Sequence, residues 1–304
     1  MSRSALEIKI QEALDHREQS SRRRRLPDPY NSPSSVGSAL VDFNSNDYLS
    51  LSTSPQLRTH FLQQLADAPD ILGSGGSRLL VNGRAHANLE ARLAAFFNSE
   101  AALLFNSGFD ANVGFFSSVP QSGDVIVYDE YIHASVHDGM KASRILPEER
   151  VSFEHNSVED MRRVLTRLVE MKPVLQSGEC SVFIAVESLY SMDGTFAPLR
   201  DIVDLLDELF PIRNAYLVVD EAHSTGIYGP QGKGRVALLG LEKRVFARLH
   251  TFGKALAATG GLSRYFCRYM ITNLEILSCC PDEHSSSRLS VKLCEIAYLH
   301  YILE

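Results

Sequence analysis

Short apolar runs alternate with amphipathic helical patterns along most of the chain, and this alternation constrains the fold more than any other feature. The runs are rich in β-branched residues and remain apolar throughout; they lie at 101–105, 125–128, 181–187 and 216–220. Strands that remain apolar along their whole length are typically buried on both faces of a sheet. The sequence therefore predicts an α/β fold whose mainly parallel sheet is covered by helices on both sides.

Helical patterns fill the intervals between these strands and also precede the first of them. The predicted helices lie at 4–20, 55–66, 86–97, 157–171 and 199–209, and one more follows Ser135 and runs through Lys141. Residues 27–38 are rich in Pro, Ser and Asn, which is typical of a connector. Residues 41–43 are predicted to form a short strand. These patterns separate an N-terminal helix and connector at 1–40 from a large α/β domain that begins at residue 41.

Composition excludes several classes of protein. The 304 residues carry a net charge of −7, which argues against a nucleic-acid-binding surface. The five cysteines have no regular spacing, so we expect a reducing compartment rather than a disulfide framework. No apolar run approaches the ~20 residues that a membrane span needs, and the N-terminus lacks the apolar core of a signal peptide. We expect a cytoplasmic protein with no membrane or nucleic-acid partner.

Polar clusters follow the predicted strands, at 106–112, 129–135, 188–194 and 220–226. Ligands of parallel sheets bind beyond the carboxyl ends of the strands, where these clusters would meet. Further along, Lys254 stands among small residues in TFGKALAATGG. A lysine amine becomes a useful nucleophile or base when desolvation lowers its pKa. Taken alone, this Gly-Lys pair is typical of an exposed loop.

Three other kinds of site are disfavoured. The residues 220–223 read DEAH, as in a helicase ATPase, but no G-x-x-x-x-G-K-[ST] loop precedes them. His133 and His137 have the spacing of helical metal ligands, but there is no H-E-x-x-H motif and neither has an obvious third ligand. A G-x-S-x-G nucleophile elbow does not occur.

The remaining groups, taken together, match the requirements of a pyridoxal phosphate site. This cofactor needs a lysine, an anion site for its phosphate, and a carboxylate that keeps its ring nitrogen protonated. Lys254 is the candidate lysine. Gly108 and Phe109 follow a strand and open a helix, where backbone N–H groups can bind an anion. Asp220 ends a predicted buried strand, and His133 could cover one face of the ring.

The chain resembles the α-oxoamine synthase family of fold-type-I pyridoxal-phosphate enzymes, and most closely the branch that makes 8-amino-7-oxononanoate in biotin biosynthesis. The resemblance covers residues from about 41 to 261. It is carried by FNSNDYLSL (43–51), GSGGSRLLVNG (73–83), LLFNSGFDAN (103–112), YIHAS (131–135), ESLYSMDG (187–194), VVDEAHSTGIYGPQGKG (218–234) and TFGKALAATGG (251–261). It implies that residues 41–261 form a pyridoxal-phosphate-binding large domain of the aspartate aminotransferase type.

The resemblance also implies a role for each matching residue. Lys254 would hold the cofactor as a Schiff base and then move the substrate's α-proton. Asp220 would pair with the pyridinium nitrogen. His223 and Ser191 would hydrogen-bond the phenolic oxygen of the ring, on which His133 would stack.

Further implied contacts concern the phosphate and the substrates. Thr251 would join Gly108 and Phe109 at the phosphate, and one residue of the run 22–25 would meet substrate. The implied reaction is decarboxylative condensation of an amino acid with an acyl-CoA, with L-alanine and pimeloyl-CoA expected and glycine or serine as alternative amino acids. Family members are homodimers with the active site at the subunit interface.

The resemblance ends after Gly261. There the family continues with a C-terminal α+β domain that supplies an arginine for the substrate carboxylate, whereas residues 262–304 match none of it. We therefore expect a truncated C-terminal domain, replaced by a divergent tail, and a peroxisomal signal could be lost with it. One alternative is a truncated, catalytically impaired family member that at most binds cofactor. The other is a divergent family member that is naturally short.

Overall fold

The computed structural model describes residues 4–26, 42–68, 76–78 and 80–265, with side chains up to Leu262. The chain divides between Asn44 and Ser45 into two compact units. This division lies close to the predicted boundary at residues 40 and 41. The four cysteines of the predicted tail and residues 73–75 of the glycine-rich stretch lie outside the described residues.

The first unit contains helix α1, Ala5–Gln19. A capping box begins the helix: the Ser4 hydroxyl accepts the Glu7 N–H at 3.3 Å, and the Glu7 carboxylate accepts the Ser4 N–H at 2.6 Å. The strand predicted at 41–43 is wrong for the two residues that are described. Asp42 instead accepts the Asn44 N–H at 2.8 Å, which closes a local turn, and Phe43 is exposed.

The second unit is built on a seven-stranded sheet in the described part of the chain, with strand order β1-β7-β6-β5-β4-β2-β3. The strands are β1 Ala101–Phe105, β2 Val125–Asp129, β3 Arg150–Phe153, β4 Val182–Glu187, β5 Ala215–Asp220, β6 Ala247–Thr251 and β7 Gly261–Tyr265. The pairs along β3, β2, β4, β5 and β6 are parallel. β7 pairs antiparallel with both β1 and β6. The predicted mainly parallel α/β sheet is confirmed.

Helices cover both faces of this sheet. In the second unit they are α2 Pro55–Asp67, α3 Arg84–Phe96, α4 Gly108–Ser118, α5 Ala134–Ala142, α6 Val158–Met171, α7 Pro173–Ser177, α8 Leu199–Leu209 and α9 Arg235–Leu238. Alternate residues of one strand enter opposite cores: Val182 and Ile184 pack on one face, and Phe183 packs on the other. No described helix combines the length and apolar character needed to cross a membrane.

Strands β3, β6 and β7 were not predicted. β6 contains Arg248 and His250, both of which are buried. The Arg248 guanidinium donates to the Phe97 carbonyl at 2.9 Å, and the His250 Nδ1 lies 2.7 Å from the Thr225 hydroxyl. Partners distant in sequence thus let polar residues occupy a central strand. β7 extends the sheet past residue 261, where the large domain was predicted to end.

Candidate active site

A cavity of about 290 Å³ lies at the carboxyl edge of the parallel strands. Its lining includes six of the predicted site residues, namely Gly108, Phe109, His133, Asp220, Thr251 and Lys254. Asn46, Ser107, Asn112, Ser135 and Glu187 line it too. The clusters that follow separate strands in the sequence therefore meet around one space.

Lys254 is held in a tight loop after β6. The Phe252 N–H donates to the Gly260 carbonyl at 3.1 Å, and the Ala258 N–H donates to the Phe252 carbonyl at 2.9 Å. The Lys254 Nζ lies 2.8 Å from the His223 Nε2. Burial lowers the pKa of Lys254, although the nearby Asp220 carboxylate opposes this shift. The loop thus presents an amine whose proton is held less tightly than that of an exposed lysine.

His223 links this amine to a short chain of hydrogen bonds. Burial and the neighbouring Lys254 lower the pKa of His223 to about 4, so the ring is neutral near pH 7. Its Nδ1 lies 2.9 Å from the Tyr48 hydroxyl, which lies 2.9 Å from the Asn46 Oδ1. A consistent assignment has Lys254 donating to Nε2, Nδ1–H donating to Tyr48, and Tyr48 donating to Asn46.

Asp220 ends β5 with its carboxylate buried beside the cavity. Its Oδ1 accepts the Ala222 N–H at 2.9 Å, and its Oδ2 accepts the Asn112 side-chain amide at 2.7 Å. The same amide nitrogen lies 3.0 Å from the Ser135 hydroxyl, which lies 2.7 Å from the His133 Nδ1. The Asn112 Oδ1 is buried and has no partner among the described residues. A polar group bound in the cavity could supply that partner.

The residues for which the sequence predicts an anion site lie at the amino end of α4. Ser107 caps the helix, with its hydroxyl accepting the Asp110 N–H at 3.0 Å. The first backbone N–H groups of a helix lack partners within the helix and attract anions. The Thr251 hydroxyl lies only 2.2 Å from the position of a Cβ built on Gly108. Only a glycine lets the helix start approach this hydroxyl so closely, and the resulting set of donors fits a phosphate.

Glu187 is a site residue that the sequence analysis missed. It ends β4, lies beside Asp220 in the parallel register, and is 5% exposed. Burial, with the negative charge of Asp220, raises the pKa of Glu187 to about 8. The signal that could have found it is the one that identified Asp220, namely a carboxylate that ends an apolar strand.

A neutral Glu187 predicts an unusual dependence of stability on pH. The ordinary pKa of this carboxyl is 4.5, and the folded value is about 8. Between these values the folded chain retains a proton that the unfolded chain has released, so the contribution of Glu187 to stability is lost as pH rises. We expect Glu187→Gln to match the parent near pH 5 and to exceed it near pH 8 by a few kcal/mol, on the order of 1.4 kcal/mol per unit.

Urea denaturation of the cofactor-free chain at both pH values measures this difference. Glu154→Gln is the matched control, because Glu154 is exposed. Parallel pH dependences for Glu187→Gln and the parent would contradict a neutral Glu187.

Other predicted residues are placed differently. Ser191 is exposed in the turn after β4 and is not one of the residues that line the cavity. Arg22–Arg25 belong to the first unit, and their contact with substrate stays a prediction. His137 packs against the Tyr128 ring at 5.2 Å. Among the described residues, no group of three or more metal-ligating side chains is present.

Pyridoxal phosphate requires a lysine of lowered pKa, a carboxylate for its ring nitrogen and an anion site for its phosphate. The cavity contains a lysine of lowered pKa, a buried carboxylate and a helix start suited to phosphate. The family model for aminotransferase class I and II matches residues 38–277. The chain belongs to this family. Within it the resemblance to α-oxoamine synthases is confirmed, and pyridoxal phosphate is the cofactor of these enzymes.

Two curated relatives and one solved structure illustrate the similarity. The chain is 51% identical to the 8-amino-7-oxononanoate synthase of Emericella nidulans, over 86% of this chain and 62% of that one. It is 46% identical to the aminoacyl transferase sphA of Byssochlamys spectabilis, over 74% and 48% of the two chains. A structure of SPT with the PLP internal aldimine superposes with a TM-score of 0.70 at 28% identity, covering 85% and 61%. The chain thus spans less than two thirds of the length of each.

Proposed function

We propose that this chain carries the cofactor-binding domain, residues 41–261, of a pyridoxal-phosphate-dependent acyltransferase. The reaction joins L-alanine to pimeloyl-CoA: the bond from the alanine Cα to its carboxylate breaks and releases CO₂, the Cα bonds to the acyl carbon, and CoA leaves as the thiol. The observation that carries the proposal is the 2.8 Å contact between Lys254 and a neutral His223 beside buried Asp220. The similarity to 8-amino-7-oxononanoate synthases supports the choice of substrates.

The side chains would divide the work. When bound, pyridoxal phosphate supplies an electron sink for charge that develops at the substrate Cα. Asp220 would hold the proton on the ring nitrogen, and Asn112 and the Ala222 N–H would orient that carboxylate. Lys254 would hold the cofactor and accept the α-proton at Nζ. His223 would orient Nζ, and with Ser191 it would hydrogen-bond the phenolic oxygen of the ring.

The remaining residues would bind rather than react. Gly108, Phe109 and Thr251 would hold the phosphate. His133 would stack on the ring, at the position that its link through Ser135 to Asn112 sets. We further propose a cytoplasmic homodimer.

Turnover of defined substrates tests this function. The full chain, loaded with pyridoxal phosphate, is incubated with alanine, glycine or serine and with pimeloyl-CoA or palmitoyl-CoA. Released thiol and product mass are then measured. Alanine with pimeloyl-CoA should react fastest. Faster reaction of serine with palmitoyl-CoA would favour the second candidate, a synthase like the serine palmitoyltransferases that share this fold. Cofactor binding without thiol release would leave only the binding function, and absence of cofactor binding would overturn the proposal.

Asp220→Asn should separate cofactor binding from chemistry. A neutral amide cannot stabilise the proton on the ring nitrogen, so exchange of the alanine α-proton in D₂O should fall by about 100-fold or more. Cofactor should still bind, because the phosphate contacts remain. NMR of the alanine methyl signal measures the exchange, and Asp138→Asn, at an exposed position, is the control. Exchange at the parent rate would refute the role of Asp220.

Gly108→Ala should weaken binding of the cofactor by about 10- to 100-fold. The new methyl group would collide with the Thr251 side chain and push the helix start away, and overpacking of this kind costs ~1–3 kcal/mol. Titration with pyridoxal phosphate, followed by absorbance, gives the dissociation constant. Gly83→Ala is the control, because nothing lies within 4 Å of its Cβ position. Equal affinities for the two variants would remove the phosphate site from the start of α4.

A further inference from the structure

His155 lies beside the candidate active site and its side chain is 13% exposed, although it is not among the residues that line the cavity. It lies two residues after β3. Its Nδ1 lies 2.8 Å from the Asp129 Oδ1, at the end of β2. Its Nε2 lies 2.8 Å from the Thr195 hydroxyl and 3.1 Å from the Asp193 Oδ2, in the turn after β4. One ring therefore joins the segments that follow three strands of the sheet.

The hydrogen bonds around His155 are satisfied when both ring nitrogens carry a proton. Ionised carboxylates only accept hydrogen bonds, so Nδ1–H donates to Asp129. The single hydroxyl proton of Thr195 is directed to the Asp193 Oδ1 at 2.8 Å. Thr195 therefore accepts from Nε2–H, which also faces the other oxygen of Asp193.

Two tyrosine rings enclose the imidazole. Tyr131 stacks on it with ring centroids 4.2 Å apart, and Tyr190 meets it edge-on at 4.5 Å. A positive ring is stabilised by an aromatic face. Burial raises the pKa of Tyr190, so its hydroxyl remains neutral. That hydroxyl accepts the Glu187 backbone N–H at 3.2 Å.

The groups held in this way belong to two loops that carry proposed cofactor contacts. Residues 129–133 lead from Asp129 to His133. Residues 187–196 lead from Glu187 through Ser191 to the turn with Asp193. Asp129 also accepts the Tyr131 N–H at 2.9 Å and the Asn156 N–H at 2.9 Å. A loss of charge at His155 would therefore loosen the connection between the two loops.

We propose that His155 is a positioning residue, held as an imidazolium between Asp129 and Asp193, which fixes the loops of His133 and Ser191 against the ring of the cofactor. The part of this inference that concerns the cofactor rests on the proposed function. The titratable groups that face the ring are Asp129, Asp193, Tyr131 and Tyr190. Glu130 faces the backbone, since it accepts the His155 N–H at 3.0 Å. The two carboxylates that contact the ring each attract a positive charge on the histidine.

The charge is tested on the cofactor-free chain. Long-range ¹⁵N–¹H NMR of the His155 ring at pH 7 should show protons on both nitrogens, identified by loss of the signals in His155→Gln. A ring that carries a proton on only one nitrogen at pH 7 would overturn the inference.

The positioning role is tested by cofactor affinity and by proteolysis of the 190–196 turn. Asp193→Asn retains the fold readily because its side chain is partly exposed. It should raise the dissociation constant for pyridoxal phosphate about threefold, and His155→Gln should raise it about tenfold. The double variant should resemble His155→Gln alone, since both changes remove one interaction. Asp138→Asn is the control. Additive effects, or a turn no more sensitive to protease, would contradict the role.

The two proposals fail in different ways. A parent chain that binds no pyridoxal phosphate overturns the proposed function, and with it the role of His155 toward the cofactor. A His155→Gln variant that binds pyridoxal phosphate and turns over substrate as the parent does overturns only the role of His155.

Discussion

Lys254→Ala is expected to abolish covalent attachment of pyridoxal phosphate and to reduce turnover by about 10³-fold or more. The amine is the group in the cavity placed 2.8 Å from a neutral histidine, and burial lowers its pKa. An alanine can neither bond the cofactor nor accept the α-proton. The helix start and Thr251 remain, so weak, reversible binding of the cofactor should persist.

Borohydride reduction followed by mass spectrometry of peptides measures this loss. In the parent the cofactor should be fixed to the peptide that contains Lys254, and the yellow absorption should bleach. Lys141→Ala is the matched control, because Lys141 is exposed and pairs only with Asp138 at 3.3 Å among the described contacts. Fixation at another lysine, or full turnover in Lys254→Ala, would reject the assignment.

Glu221→Ala is expected to reduce the free energy of unfolding by about 3–5 kcal/mol. Glu221 is fully buried. Its carboxylate accepts the Arg235 N–H at 2.8 Å, the Val236 N–H at 2.7 Å and the Ser188 hydroxyl at 2.9 Å. It also accepts the Ser224 hydroxyl. An alanine removes the acceptor of the Arg235 and Val236 N–H groups. The Ser188 and Ser224 hydroxyls keep only each other and the Glu221 backbone carbonyl as partners.

Urea denaturation of the cofactor-free chain measures the loss, with Glu154→Ala at an exposed position as the control. That control should change stability by less than about 0.5 kcal/mol. Glu221→Gln should be nearly as harmful as the alanine, because its amide group turns a donor toward other donors. A loss below about 1 kcal/mol in Glu221→Ala would show that water replaces the carboxylate.

The DEAH stretch shows what could be predicted from sequence and what could not. Asp220 was identified because a carboxylate at the end of an apolar strand must face a ligand or a partner. The adjacent Glu221 points the other way and stabilises the segment at 234–236, which no local pattern reveals. The glycine at 234 lets this segment approach the Glu221 carboxylate, since a Cβ there would lie 2.7 Å from that carboxylate. Local periodicity predicted which residues reach the sheet edge, but it could not predict which loops their side chains hold.

The missed strands have a similar cause. Apolar runs predicted β1, β2, β4 and β5 within one residue of their observed bounds. In β6, however, Arg248 and His250 interrupt the pattern, and each has a hydrogen-bond partner that is distant in sequence. Glu187 was missed although its position matches that of Asp220. Its importance depends on the pairing of β4 with β5, which places the two carboxyl groups side by side.

The position of β7 has a consequence for the order in which the protein folds. β1 has no neighbour in the described sheet except β7, and β7 also completes β6. Residues 101–105 therefore wait for residues 261–265 to be synthesised, and contacts between segments so distant in sequence form slowly. Gly261 packs against the backbone of Ser107 and Gly108, so the same late step completes the proposed phosphate site. Cofactor capture during refolding should consequently trail formation of the central parallel strands, and its rate would report the insertion of β7.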